Sequence, residues 1–217
     1  GPAGVGKSSV GRAVAKALGY GFINTGEMYR ALAWKMEKLS ISQQDQQAVD
    51  ALARSSDWQF RKLDGGIIKT VLDGRLMDKE LLGENVSRNS SAIATNAPMR
   101  EFMKELQRHL GADGGIVMEG RDIGTVVFPD AELKIYLDAT AQERAKRRYE
   151  QLKAAGIPAD LKAILDGIIS RDSNDSGRKV APLKKASDSV VIDTSALSIE
   201  EVISRILELA KNKCSRI

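Results

Sequence analysis

The chain has 217 residues, 42% hydrophobic and 29% charged, enough for one α/β domain with insertions and a core that needs no covalent staples. Its single cysteine, Cys214, excludes a disulfide framework and points to a reducing cytoplasm, and no apolar run approaches the ~20 residues that cross a bilayer. The formal charge of +4 does not carry a nucleic-acid reading, because no run of five basic residues occurs and no basic stretch is interleaved with aromatics.

The chain opens on a glycine-rich loop, Gly1-Pro2-Ala3-Gly4-Val5-Gly6-Lys7-Ser8-Ser9. It matches G-x-x-x-x-G-K-[ST] at every fixed position. The glycines let backbone N–H groups turn inward around the phosphates of a nucleotide. Lys7 is the mobile charge for the β/γ oxygens and the Ser8 hydroxyl is the protein's ligand to Mg²⁺. A helix over 7–18 follows, with Val10, Val14, Ala17 and Leu18 on one side, and its positive end points at the same anion. A loop of this kind normally follows a central strand, so a strand preceding residue 1 is expected in the native protein.

Residues 20–23 read as a short buried strand, 25–39 as a helix and 43–54 as another. Two β-like runs at 58–61 and 67–72 meet at the turn signal Asp64-Gly65-Gly66. They break the βα alternation, read as an insert, and are not expected to join the central sheet. Helices over about 84–94 and 97–110 come next, then a strand over 115–119. A strand at 133–137 leads into a basic helix over about 141–154. A turn at 156–158 introduces a helix that ends near 177, and 190–192 is a strand. From Ile199, the positions Val202, Ile203, Ile206, Leu207 and Ala210 make the stripe of an amphipathic helix. Ser198 caps it, and Glu201 is the capping-box partner. Strands alternating with helices predict a parallel central sheet with helices on both faces, a three-layer α/β/α domain.

Two stretches carry the acceptor chemistry. Asn24-Thr25-Gly26-Glu27-Met28-Tyr29-Arg30 falls where a strand gives way to its helix and offers a hydroxyl, a glycine and an arginine, a second anion site. Glu119-Gly120-Arg121-Asp122-Ile123-Gly124-Thr125-Val126-Val127-Phe128-Pro129-Asp130 puts two carboxylates and an arginine at the carboxyl end of a buried strand, where open α/β sheets hold ligands. That run, together with Thr25 to Arg30 and the stretch from Arg171-Asp172 through Asp175 and Arg178 to Leu183, resembles the bacterial cytidylate kinases from Gly1 to the last helix.

The resemblance implies a P-loop phosphotransferase that uses ATP, with Mg²⁺, to convert CMP and dCMP to their diphosphates, as a cytoplasmic monomer with no nucleic-acid or membrane partner. It assigns Arg30, Arg121 and Arg178 to the acceptor phosphate, beside Thr25, and Ser91, Arg100 and Asp122 to cytosine. Asp175 takes the ribose, held by Arg171. It makes the 141–154 helix a lid whose Arg144, Arg147 and Arg148 share one solvated face when no nucleotide is bound. Lys7, Arg121, Arg147 and Arg148 are then the catalytic set, and residues 1–9, Arg144 and Arg148 the ATP set. The implied division is a core of 1–24, 93–140 and 179–217, a monophosphate-binding region of 25–92 with an insert at about 53–92, and lid and acceptor helices over 141–178. Two positions depart from the family's usual Asp and Ala: Asn24 keeps an acceptor without the charge, and Glu27 adds a carboxylate.

Overall fold

A computed structural model describes residues 1–213, the side chain of Glu84 excepted; Cys214 lies outside the described residues. In chain order the elements are α1 (Lys7–Leu18), β1 (Gly21–Asn24), α2 (Thr25–Lys38), α3 (Gln46–Ser55), β2 (Trp58–Lys62), β3 (Ile67–Leu72) and β4 (Arg75–Leu76). They continue as α4 (Glu84–Ile93), α5 (Ala97–Gly111), β5 (Ile116–Glu119), β6 (Ile135–Asp138), α6 (Ala141–Ala154), α7 (Leu161–Gly177), β7 (Val190–Asp193) and α8 (Ile199–Lys213). Helix starts follow side-chain caps. Asn24, Asp45, Asn96, Thr140 and Asp160 each accept from a backbone N–H of the first turn that follows, which satisfies donors the helix itself leaves open. At α8 the expected capping box is complete: Glu201 N–H donates to Ser198 Oγ at 3.2 Å and Ser198 N–H to Glu201 Oε2 at 2.7 Å.

The chain divides into two compact units. One comprises Ala15–Gly120 and holds a five-stranded sheet in the order β2-β3-β1-β5, with β4 on β3. Strand β1 runs parallel to both β5 and β3, whereas β2 and β4 are antiparallel to β3. The 58–72 hairpin is therefore not set apart from the sheet, as its break in the βα alternation suggested. Phe22 pairs with Ile67 and Ile23 with Ile68, so the hairpin extends the parallel strands. Burial on both faces of β3 is the reason: the consecutive residues Val71 and Leu72 are both buried, and Leu72 lies in a cluster with Ala31 of α2, Met77 and Leu81. A larger core gathers Met28, Leu32 and Met36 of α2 with Val49, Leu52, Met99 and Met103.

The other unit comprises Gly1–Val14 and the described chain from Arg121 onward. Here β6 and β7 pair in parallel over four residues each, joined through the α6–α7 hairpin. Buried apolar positions include Val5 and Val10 beside the loop, Leu137 and Ile192 on the strands, and Val202, Ile206 and Ala210 on α8. On α1, Val10 and Val14 are buried as their spacing predicts, but Ala15 rather than Ala17 completes the stripe.

Candidate active site

In the unit that carries the glycine loop, Gly4 and Gly6 stand at φ 76 and φ 92. These left-handed angles are costly for any residue with a Cβ, and they turn the loop so that α1 begins at Lys7. The Lys7 ammonium donates to the Pro2 carbonyl at 2.5 Å and so lies folded over its own loop. The loop is also held from α6. Arg144 is 4% exposed and its guanidinium donates to the Ala3 carbonyl at 3.0 Å, to the Ala139 carbonyl at 3.1 Å and to Asp172 Oδ2 of α7 at 2.5 Å. Arg147 donates to the Thr194 hydroxyl at 3.1 Å and also to the Thr194 carbonyl. Only Arg148 of the three lid arginines is exposed. The expectation of one solvated face is corrected here: backbone carbonyls, Asp172 and the Thr194 hydroxyl give Arg144 and Arg147 partners without any nucleotide.

A second cluster in the same unit centres on Asp175, 4% exposed near the end of α7. Arg121 Nε donates to its Oδ2 at 2.7 Å, and Arg178 Nη2 stands 3.8 Å from its Oδ1. The Asp175 carbonyl accepts from Leu183 N–H at 2.8 Å and from Arg178 Nε at 3.3 Å, which stitches 178–183 back onto the helix end. Two guanidinium groups thus gather on one buried carboxylate, planar forks of the kind that suit bidentate contact with an anion. Asp122 opens a π-helical turn at Ile123–Val127. Its carbonyl accepts from Val126 N–H at 2.9 Å, and Phe128 N–H reaches Ile123 O at 2.7 Å. Single π turns of this kind recur at functional sites.

In the other unit, β1 and β5 end side by side, with Asn24 opposite Glu119. Thr25 Oγ1 donates to the Glu119 carbonyl at 2.8 Å. Asn24 is the α2 cap, accepting from Gly26 N–H at 3.0 Å; an uncharged amide oxygen suffices for that bond. Gly26 is closely approached: a Cβ there would stand 3.0 Å from Arg30 Nη1 and 3.1 Å from Asn24 Oδ1. The Arg30 guanidinium thus lies across the opening turn of its own helix. Arg100 of α5, 6% exposed, donates to the Ala94 carbonyl at 3.2 Å and lies over the Tyr29 ring, 5.7 Å from its centroid. Ser91 is half-buried on α4.

Comparison with known proteins decides the family. The family model described as "Cytidylate kinase" matches residues 1–212. The chain belongs to the cytidylate kinase family. Among its relatives are proteins named cytidylate kinase from Geobacter sp. (strain M21), 41% identical over 216 residues, which is 100% of this chain and 92% of the relative, and from Caldicellulosiruptor bescii, 44% identical over 96% of this chain and 92% of the relative. A third, from Geobacillus sp. (strain WCH70), is 43% identical over 98% of this chain and 95% of the relative. Family members are phosphotransferases that act on nucleotides, and reactions of that class generally draw on a divalent metal.

Within each unit, residues that the sequence pointed to do come together. Arg121, Asp175 and Arg178 meet in one; Thr25, Gly26 and Arg30 share one helical turn in the other. Asp172 was missed. It stands three residues before Asp175 on α7, a spacing that puts two carboxylates on adjoining positions of one helix face, yet nothing local names Arg144 as its partner. Lys69 and Asp73 were missed as well. Lys69 Nζ stands 3.3 Å from Glu27 Oε1, and Asp73 Oδ2 stands 2.6 Å from Lys35 Nζ. On β6, burial and then the Asp138 charge push the Tyr136 phenol above its ordinary pKa, while the Lys185 ammonium lies 5.1 Å from its ring centroid.

Among the described residues, no group of three or more His, Cys, Asp or Glu side chains able to hold a metal occurs, and no helix is long and apolar enough to cross a membrane.

Proposed function

We infer that this chain transfers the γ-phosphate of ATP to CMP and dCMP, giving the diphosphates and ADP. The observation that carries the reading is the Arg121–Asp175–Arg178 cluster in the unit of the phosphate loop, in a chain matched by the cytidylate kinase family along nearly its whole length. A loop alone serves any nucleoside triphosphate; guanidinium groups gathered on a buried carboxylate serve a second anionic substrate.

ATP is assigned to residues 1–9. The Lys7 ammonium would exchange the Pro2 carbonyl dipole for the full charge of the β- and γ-phosphates, a stronger partner. Mg²⁺ fits as an ion brought by the nucleotide: one hydroxyl, Ser8 at the start of α1, supplies the protein's ligand and phosphate oxygens and water supply the rest, the usual sparse protein share for this cation. Bound there, it would neutralise phosphate charge. Arg144 holds α6 and α7 to the loop, and the exposed Arg148 is assigned to the transferring phosphoryl group, with Arg147 beside it. Arg30, Arg121 and Arg178 are assigned to the acceptor phosphate, with Thr25 supporting the α2 turn. Asp175 accepts from the ribose with Arg171 near it in sequence. Ser91, Arg100 and Asp122 read the cytosine edge, where an exocyclic amine donates beside two acceptors. Uracil presents a carbonyl in place of that amine and leaves an acceptor unsatisfied, which costs affinity. No nucleophile is needed, because placement and positive charge supply most of the rate in phosphoryl transfer.

The three-way division into core, monophosphate-binding region and lid follows from the same assignments, as does a monomer working in the cytoplasm without nucleic acid. The test is ADP formation from ATP and Mg²⁺ with CMP, dCMP, UMP, AMP or no acceptor. CMP and dCMP should give the highest kcat/KM and the acceptor-free rate should be negligible. AMP preferred over CMP, or ADP formed equally without acceptor, would overturn the reading.

A further inference from the structure

The stretch that carries Asp122 is built around the π turn at Ile123–Val127. The Asp122 carbonyl accepts there from the N–H groups of Thr125, Val126 and Val127, at 3.3, 2.9 and 3.3 Å. The last bond of the turn, from Phe128 N–H to the Ile123 carbonyl at 2.7 Å, stops one residue short of Pro129. Lys134, the residue before β6, spans the turn from outside. A Cβ on Gly124 would stand 3.2 Å from the Lys134 Cδ and 3.3 Å from its Cγ, so the carbon stem lies against the turn. The ammonium donates to the Pro129 carbonyl and pairs with Asp188 Oδ2 at 2.6 Å. The Lys134 side chain is 8% exposed and that of Asp188 61%. Val190 N–H donates to the Lys134 carbonyl at 2.8 Å, which fixes the lysine's backbone to the start of β7.

We propose that Lys134 is a positioning residue for the acceptor base: it clamps the 122–129 stretch against the β6–β7 pair and so fixes the backbone on which Asp122 reads cytosine. The inference rests on the assignment of Asp122 to that base. A lysine that served packing alone would bury its stem and keep its ammonium in water, the usual arrangement for this side chain. Here the charge is turned onto a backbone carbonyl at the far end of the turn. An ion pair with a carboxylate as exposed as Asp188 adds little to stability, so loss of the Lys134 charge costs position more than fold. Position is what base reading needs, because hydrogen bonds that tell an amine from a carbonyl weaken steeply with misalignment.

Steady-state kinetics with ATP and either CMP or UMP, together with melting temperatures, test this in Lys134→Met, Lys134→Gln and Asp188→Asn. Lys134→Met keeps a stem against Gly124 and loses the donor to Pro129. It should lower the CMP/UMP ratio of kcat/KM about tenfold and leave the KM for ATP within about twofold, because only the reading of the base is disturbed. A purely structural lysine would instead lower kcat/KM for both acceptors alike. Asp188→Asn leaves the bond to Pro129 in place and should keep the ratio within about twofold of wild type. Lys134→Gln retains the Cβ, Cγ and Cδ that face Gly124 and falls short of Pro129, so it should behave as Lys134→Met does, and it decides alone should Lys134→Met not fold. An unchanged CMP/UMP ratio in either folded Lys134 variant, equal losses for CMP and UMP, or a tenfold fall in Asp188→Asn would overturn the proposal. Failure of both Lys134 variants to fold would assign the lysine to the fold and overturn it too. A wild-type chain that does not prefer CMP to UMP would overturn the cytosine assignment itself, a result read without any variant.

Discussion

Asp73 occupies the turn between β3 and β4 at φ 50, a left-handed conformation that Asp and Asn tolerate better than most residues. One carboxylate oxygen accepts from Asp57 N–H at 3.0 Å and the other pairs with Lys35 at 2.6 Å. Burial pushes its pKa up, but the Lys35 hydrogen bond, the Asp57 N–H and the Lys35 charge outweigh that and hold it below the ordinary carboxylate value. A lowered folded-state pKa contributes stability that is full above the unfolded value of about 4 and is lost as pH falls through the folded value. Asp73→Asn keeps the turn and removes the charge. Urea unfolding should show it less stable than wild type by about 0.5–1 kcal/mol at pH 7, the worth of a half-exposed pair, with the gap closing as pH falls through the lowered folded-state value. Asp73→Ala adds about 1 kcal/mol for a left-handed non-glycine residue, and that part should not depend on pH. Arg148, exposed on α6, invites the opposite experiment. Arg148→Ala should leave stability within about 0.5 kcal/mol and lower kcat at least tenfold, roughly what one lost transition-state contact costs; unchanged kcat would remove this arginine from the catalytic set.

Helix α6 shows how an element is built into a site. Its cap at Thr140 starts it, and Arg144, one turn in, ties it to the phosphate loop and to α7. Arg144→Met should destabilise the protein by about 1–3 kcal/mol, as losing a buried guanidinium's charge-assisted hydrogen bonds does. Hydrogen exchange in 141–154 should rise with it, and a variant that melts like wild type would show the tie to be unimportant. Most helices and strands were legible from local signals, such as the Ser198–Glu201 capping box and the 3.6-periodic apolar stripe of α8 behind it; the caps at Asn24, Asn96 and Asp160 were not read. Strand β4 was not, since two residues carry no period, although Asp73-Gly74 is the turn signal that precedes it. Partner choice was least legible. Arg144 with Asp172 and Arg121 with Asp175 are contacts 28 and 54 residues apart, and no local pattern says which carboxylate a distant arginine will meet. Burial compounded this for Arg144, whose neighbours in sequence read as a solvated basic face.

At the scale of the molecule, the residues proposed for the acceptor are divided between the two compact units, and those proposed for the donor lie in one. The phosphate loop, the Arg121–Asp175–Arg178 cluster and α6 belong to one; the Thr25–Arg30 turn, Ser91 and Arg100 belong to the other. The stretch from Glu119 to Asp130 crosses the boundary at Gly120 and Arg121. Lys7 stands where the glycine loop meets α1 and not in a packed core, so Lys7→Met should keep stability within about 0.5 kcal/mol of wild type while turnover falls by orders of magnitude. The most direct measurement follows the phosphoryl group itself. With ATP labelled at the γ-phosphate, Mg²⁺ and CMP, label should appear in CDP in step with ADP formation, with almost none as inorganic phosphate. Label released as inorganic phosphate, or remaining in ATP despite a folded protein and excess CMP, would contradict the account.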